Sequence, residues 1–504
     1  MKNRIIKYSA SSAAIALAFS SAAIAEVSAE DVWNSWKSYV ESTGSSVTVG
    51  SQNDSGGALV LRAVRTRFEM PDGTVSSTIE LLEFRERGDG TVAITMSPDL
   101  PVSMSMKPED GDAVDVAIIF RQSGLSIIAS GEPDDIKFDY LASRVEMDID
   151  KLIVDGEAVD ATIGGSLSDI DGSYALRKGD ILEYDSEMAA KELAYAVLFT
   201  DPETNGKFDL SGSMTDLKTN STLRMPDALD MSDPTAMFRP EVSLEGRFST
   251  GPSSSNAELV DGNDGFSVAT SAQSNQLDVA ISDGTISYGG GSTDVAYKVS
   301  SPQIPFPEVN INIAEVAARL AMPIIKTDDV KDFGFLLKLR DLKVDDAIWQ
   351  VFDPGAVMPR DPLTFVVDVA GKMKWLVDIS DPDAVEAFGG ANPAYMEALA
   401  INDLELAAVG ARISGTGDFT FDNSDLTTFD GMPAPDGSIN LTLVGLNGLI
   451  DRLIQMGIMP DDQAMGMRMM LGLFARPAGG EDTLVSDIEV KPDGSVFANG
   501  QQLK

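Results

Sequence analysis

From residue 58 to about residue 163 the chain alternates apolar and polar side chains with a period of two. Val92, Ile94 and Met96 alternate with Thr91, Ala93 and Thr95. Val114, Val116, Ile118 and Phe120 follow, then Leu125, Ile127 and Ala129, then Ile136, Phe138 and Tyr140, then Val145, Met147 and Ile149. Pro71-Asp72-Gly73, Gly88-Asp89-Gly90, Gly111-Asp112 and Asp155-Gly156 separate the runs with turn residues. Alternation between short turns predicts antiparallel strands with one wet and one apolar face. The apolar faces must then meet another layer, close into a barrel or line a groove.

A weak repeat lies further on. Gly165-Ser166-Leu167-Ser168-Asp169-Ile170 is echoed 47 positions later by Gly212-Ser213-Met214-Thr215-Asp216-Leu217, as expected of successive hairpin units along one sheet. Residues 187–199 between the copies are rich enough in Ala to allow a helix. Residues 227–240 and 249–257 carry Pro, Ser and Asp and read as loops or a lobe boundary. Strands are expected at 276–281, 285–288, 295–299, 333–339, 341–350, 363–369, 372–379, 404–408, 412–421 and 438–444. A helix is expected at 311–322, stopped by Pro323.

The ends turn helical. Residues 28–41 place Val32, Trp33, Trp36 and Val40 on one face, and Ser28 with Asp31 resembles a capping box. This helix is expected to close one end of a sheet by burying Trp. Near the C-terminus, residues 446–458 place Leu449, Ile450, Leu453 and Ile454 on one stripe. Residues 461–475 are apolar nearly all round, which predicts a helix that is buried or lies in a groove. Met456, Met465, Met469 and Leu473 are the candidate apolar-ligand residues, because flexible Met side chains fill either an irregular core or a groove for acyl chains. A strand at 484–490, an Asp493-Gly494 turn and a last strand to 498 end the chain.

Composition narrows the chemistry. The 504 residues include 38 Lys+Arg, 79 Asp+Glu, no His and no Cys, for a formal charge of −41. There is no thiolate, imidazole or Cys/His metal site to build on. Nucleic acid is an unsuitable partner for so acidic a chain. No Gly-x-Ser-x-Gly, Gly-x-Gly-x-x-Gly or Walker-type sequence occurs. Asp148-Ile149-Asp150 and Asp169-Ile170-Asp171-Gly172 lack the full calcium-loop pattern and read as acidic strand faces beside turns. No catalytic residue, metal or cofactor is assigned. Carboxylate chemistry of the glycoside-hydrolase kind is the enzymatic alternative, without a pair that the sequence can single out.

Residues 1–25 have the form of a secretory signal peptide: basic Lys2, Arg4 and Lys7, an apolar run at 13–19, and Ala23-Ile24-Ala25 before the expected cut. Cleavage there leaves 35 basic against 79 acidic residues, a charge of −44. Glu26 stands where a lipoprotein needs Cys. No later stretch is long and apolar enough for a membrane span, so a soluble periplasmic protein is expected.

Pro359-Arg360-Asp361-Pro362 is a stiff run. Arg360 is its candidate docking residue, for an anionic headgroup or partner; the alternative is an ion pair that pins the loop. This run, with Trp349, Asp353-Pro354, Gly410-Ala411, Gly415-Thr416-Gly417, Gly431-Met432-Pro433, Gly445-Leu446-Asn447-Gly448-Leu449, Gly480-Glu481-Asp482 and Asn499-Gly500-Gln501, resembles the alphaproteobacterial exported family of domain of unknown function 2125. The resemblance implies export, a long β-rich fold over the whole mature chain, and no established enzyme. The chain is also similar in style to AsmA-type periplasmic proteins, a likeness of fold only.

The expectation is thus a mainly β protein with minor α. It has a long curved antiparallel sheet, in one piece or as lobes 26–250 and 251–504, and short helices at the N-terminus and near the C-terminus plug its apolar concavity. Its expected role is to bind an apolar or lipid-like ligand or to support the envelope, with a purely structural partner-binding protein as the alternative. The oligomeric state is left open.

Overall fold

The computed structural model describes residues 27–504, apart from 43, 71, 109–110, 202–203, 227–228, 230–235, 263, 380–381 and 389–392. The expected signal peptide and its cut lie outside the described residues, as do Pro71 and most of the 227–235 stretch.

The first half holds α1 (Ala29–Ser42), β1 (Ser45–Ser55), β2 (Ala58–Met70), β3 (Gly73–Glu86), β4 (Val92–Met96), β5 (Asp99–Met106), β6 (Val114–Ser123), β7 (Ser126–Glu132), β8 (Asp135–Val154), β9 (Glu157–Ala158), β10 (Ala161–Arg177), β11 (Ile181–Thr200), β12 (Lys207–Pro226) and β13 (Ser243–Thr250). The second holds β14 (Ser253–Asp261), β15 (Asp264–Ala272), β16 (Ser274–Ser282), β17 (Thr285–Ser300), β18 (Val309–Pro323), β19 (Lys331–Val344), α2 (Asp346–Phe352), β20 (Leu363–Trp375), α3 (Pro382–Ala387), β21 (Ala394–Ala408), β22 (Ala411–Asp422) and β23 (Ala434–Val444). It ends with α4 (Leu446–Gln455), α5 (Asp461–Phe474), β24 (Arg476–Pro477), β25 (Thr483–Val490), β26 (Val496–Ala498) and β27 (Gln501–Gln502).

All the described strands belong to one antiparallel sheet, and most pairings join strands that are consecutive or nearly so in sequence. Four rows are made of split strands. β4 and β5 together run along β3, β6 and β7 along β8, β13 and β14 along β12, and β15 and β16 along β17. Because β12 pairs both β13 and β14, the sheet is continuous through residue 250.

A single crease crosses this sheet. Ladders between β1 and β18 lose a pair at mid-height, while the β22–β23 ladder is unbroken: Gly50 and Ala63, Asp169 and Lys191, and Asp294 and Ala314 are skipped between flanking pairs that keep register. The splits at Ser97-Pro98, Gly124-Leu125, Gly251-Pro252 and Gln273 fall on the same line. Ala63, Asp169, Asp216, Asp294 and Asp341 have left-handed φ between 47° and 53° there. A left-handed residue bends a strand and resets which way later side chains point. Leu167 and Ile170 therefore pack in one cluster although they are three apart, as do Met214 and Leu217. The repeat falls on β10 and β12, which run in the same direction, and its Asp supplies the bend in each. Asp169 is thus not beside a turn, as expected, but in mid-strand.

α1 lies on one face of the first strands. Ser28 accepts from the Asp31 N–H at 3.2 Å while the Asp31 carboxylate accepts from the Ser28 N–H at 3.1 Å, the expected capping box. Val32 and Trp33 are buried against Leu59, Leu61, Leu82 and Phe84, with the Trp33 and Phe84 rings 6.0 Å apart. Full burial of side chains such as Val32 and Phe84 contributes roughly 1.5–3 kcal/mol each.

Four local expectations change. Residues 311–322 form most of β18, not a helix: they pair with β17 on one side and β19 on the other, and these ladders override the helix preference of their Ala residues. Residues 187–199 lie in β11 for the same reason. Residues 249–257 are the end of β13 and most of β14 rather than a loop. The strand expected at 341–350 stops at Val344, where Asp345 caps α2 through the Ile348 N–H.

Candidate functional site

Directly paired residues share a face of a sheet, so the pairing register shows what each face carries. The face under α1 carries Tyr174 and Leu176 on β10. These lead across paired positions to Tyr184, Leu223, Leu244, Ile281 and Ile286. The next rows run Val279–Tyr288–Leu320–Phe335–Val369 and Ala318–Leu337–Val367–Leu404. A further row, Leu339–Phe365–Leu406–Ile413–Leu443–Leu484, reaches the far end of the sheet. One apolar surface therefore extends from α1 to β25.

Its floor follows the crease. Ala142, Ile170, Ala190 and Leu217 are buried there, and further along so are Val295 and Ile313. The two limbs beside the crease are open beyond α1. Tyr288, Leu320, Phe335, Leu337 and Leu406 are between 39% and 56% exposed. Large apolar side chains exposed in contiguous rows mark a surface that meets another apolar body.

The opposite face is polar. Arg247 meets Asp278 at 2.7 Å, Lys338 meets Glu315 at 2.9 Å, and Arg340 reaches Glu405 at 3.3 Å. A cleft of about 460 Å³ on that face is flanked by Asp139, Asp171, Glu187 and Lys218. Among the described residues, no group of three or more acidic side chains is placed to hold a metal.

Where α1 ends, a cavity of about 100 Å³ lies between Ser35, Trp36, Tyr39, Phe138, Tyr174, Leu176 and Tyr184. Tyr174 stacks on Phe138 at 4.5 Å. Burial, with the neighbouring phenols Tyr184 and Tyr140, pushes the Tyr174 hydroxyl up from its ordinary pKa. The cavity is lined by aromatic rings, Ser35 and Leu176, with no carboxylate, ammonium or guanidinium group.

The expected apolar-ligand residues lie elsewhere. Met456 caps the C-terminus of α4 and is half-buried. Met465, Met469 and Leu473 form one stripe of α5 and are 68%, 72% and 46% exposed. Only Ala464 of that helix is buried. The expectation of a buried helix fails here. α5 is held instead by Arg468 on Asp451 of α4 at 2.5 Å and by Ser486, which donates to the Phe474 carbonyl at 2.6 Å. Leu320 is hidden from sequence reasoning because 311–322 reads as helix; Phe335 and Leu337 lie in the strand expected at 333–339, but the sequence does not show that their face is left open.

Arg360 stacks over the Trp349 ring at 4.4 Å, meets the Asp353 carboxylate at 3.2 Å and donates to the Asp353 carbonyl. Asp353 is 1% exposed. Burial opposes its ionisation, yet N–H groups of Val357 and Met358 and the Arg360 charge hold its pKa below the ordinary value. The loop is pinned through Asp353, not through the adjacent Asp361. Gly410 packs beside Pro359 and Arg452 so closely that a Cβ there would lie 3.0 and 2.8 Å from them, which joins this loop to α4.

Residues 263–501 match the model of a family described as an uncharacterized protein conserved in bacteria (DUF2125). A search of curated proteins found no match.

Proposed function

We propose, from a chain whose residues 263–501 match the DUF2125 family model, an exported periplasmic protein that binds an apolar or lipid-like ligand along the creased face of its sheet without catalysing a reaction. The observation that carries this reading is the row Tyr288–Leu320–Phe335, exposed on the face that α1 covers further back. An acyl chain laid on that surface gains about 0.8 kcal/mol for each CH₂ removed from water, so a short tail suffices for useful binding. The polar opposite face stays hydrated, and α1 closes one end. Export rests on the form of residues 1–25. The test is mass spectrometry of lipid carried by protein purified from its native envelope, compared with a Leu320→Asp, Leu337→Asp variant. Retention by the first and loss by the second supports the reading; wild type free of lipid, in both native preparation and vesicle extraction, overturns it.

A second reading has its own observation. The exposed stripe Met465–Met469–Leu473 suits a contact with an envelope protein, because Met adapts to varied surfaces. Met469→Asp separates the two: it leaves lipid on the sheet and removes a co-purifying protein bound through α5.

A further inference from the structure

Two stripes of α5 face outward. Met465, Met469 and Leu473 form one, and Met467, Met470 and Phe474 form the other, all between 41% and 72% exposed. At 3.6 residues per turn the six side chains span about 200° of the helix circumference. Ala464 is buried on the remaining arc, and Arg468 beside it pairs with Asp451 of α4 at 2.5 Å. From Ala464 to Phe474, Arg468 carries the only polar side chain. The turn before the helix adds Ile458, which is 62% exposed. α5 also stands where the apolar face of the sheet ends. Ser486 lies two residues from Leu484 on β25, hence on the same face, and donates to the Phe474 carbonyl at 2.6 Å.

We propose that this arc of α5 is a membrane-docking surface, which lies in the interface of a zwitterionic phospholipid bilayer and brings the end of the apolar face to it. A large exposed apolar patch meets either another protein or a membrane. A protein groove takes one stripe of a helix and surrounds it with hydrogen bonds, about one for each 100–200 Å² of interface. The arc of α5 is wider than one stripe and has no polar side chain to spare for such bonds. Hydrocarbon needs none, because a helix satisfies its own backbone. Charge selects the kind of bilayer. The chain carries −41, Asp461 and Asp462 open the helix, and the one cation of the helix is already paired. Anionic headgroups repel such a surface, unlike interfacial helices that carry Lys and Arg to attract them. The docking does not require the ligand proposed for the sheet; together with that ligand it gives a lipid a route from bilayer to face.

The test mixes protein purified after export with phosphatidylcholine vesicles. Because the chain has no Cys, Met470→Cys takes a polarity-sensitive fluorophore at one place only. That label should shift to the blue with vesicles and be quenched by lipids brominated in their acyl chains. The same label at Thr48→Cys, an exposed position of β1, should not respond. Met469→Asp and Met470→Asp should each raise the lipid concentration at half binding about tenfold or more, since each puts a carboxylate where a buried apolar side chain would lie. Both positions are exposed, so the melting temperature should not move, and Met469→Leu, Met470→Leu should bind as wild type. Phosphatidylglycerol in the vesicles should weaken binding at low salt, and added salt should restore it. Wild type that stays free of phosphatidylcholine vesicles overturns the proposal. So does binding that both Asp variants retain, or loss with Met469→Asp but not Met470→Asp, the pattern of one stripe held in a protein groove. Lipid on the sheet without vesicle docking overturns this inference alone, whereas docking without lipid on the sheet overturns the ligand reading alone.

Discussion

Leu320 of β18 sits directly opposite Phe335 of β19, with 46% and 42% of their surfaces exposed, on the face that buries Trp33 and Phe84 at the other end of the sheet. The same face is therefore core beneath α1 and open beyond it. The difference lies in the covering helix, since both regions carry large apolar side chains. A sheet with one wet and one apolar face ordinarily covers the latter with a second layer. Here, among the described residues, only α1 does so in the first strands.

This contrast predicts opposite responses to the same chemical change. Phe335→Asp should move stability by less than about 0.5 kcal/mol, as exposed substitutions usually do. Leu82→Asp, at a fully buried position under α1, should prevent folding because it buries an unpaired carboxylate. Thermal melting of the two variants checks this. Equal destabilisation of both would mean that the Leu320–Phe335 row is covered in solution.

The crease makes a conformational prediction. Asp169 and Asp294 occupy left-handed backbone at φ 47° and 49°. Replacement by Gly, which adopts that region freely, should be neutral or slightly stabilising. Replacement by Val should lower stability by about 1–2 kcal/mol, the scale of the left-handed penalty for a residue with a Cβ. Denaturant melts of Asp169→Gly and Asp169→Val rank the two. A Val variant as stable as wild type would contradict the bend.

Titration follows from the carboxylates. Burial opposes the ionised form of Asp353 and Asp482, but N–H donors outweigh it and lower both pKa values; at Asp345 the Asn310 N–H is the leading cause. A lowered folded-state pKa adds stability that is present above the unfolded value, near 4, and is lost as pH falls through the folded value. Tyr174 works in the other direction: its raised pKa adds stability below about pH 10, lost as the phenol is forced to ionise. With no His or Cys, the melting temperature should be nearly level from about pH 6 to 8. It should fall on both sides, and Asp353→Asn should blunt the acid limb. A steep slope inside the level range would refute this assignment.

Much of this architecture was legible in the sequence. Period-two alternation showed the strands, and the Ser28–Asp31 cap and Trp33–Trp36 spacing showed α1. The bend was visible only as a repeated Asp169-Ile170 and Asp216-Leu217 motif, because a left-handed φ leaves no mark in hydrophobic pattern beyond a break in alternation. β18 was missed because Ala-rich segments satisfy helix and strand equally, and the neighbours β17 and β19 decide. α5 was misplaced for a different reason: an all-apolar helix ordinarily seeks a core, and nothing local reports that its neighbours leave it exposed.

Salt provides the last prediction. The chain carries −41, and most of its ion pairs are at least partly exposed, such as Arg67–Glu69 and Lys137–Asp139. Exposed pairs contribute at most about 1 kcal/mol each and weaken as salt screens them. Long-range repulsion among the surplus acids opposes folding and is screened over the same range, with a Debye length of about 10 Å at 0.1 M. The surplus is larger than the number of ion pairs among the described residues, so repulsion dominates and screening should raise the melting temperature. Sodium chloride and sodium sulfate at equal ionic strength should agree at low concentration, where screening acts alone, and diverge only when sulfate exclusion strengthens apolar burial. A melting temperature that falls steadily as sodium chloride is added would show that the ion pairs of the polar face, Arg247–Asp278 and Lys338–Glu315 among them, hold the sheet more strongly than its net charge strains it.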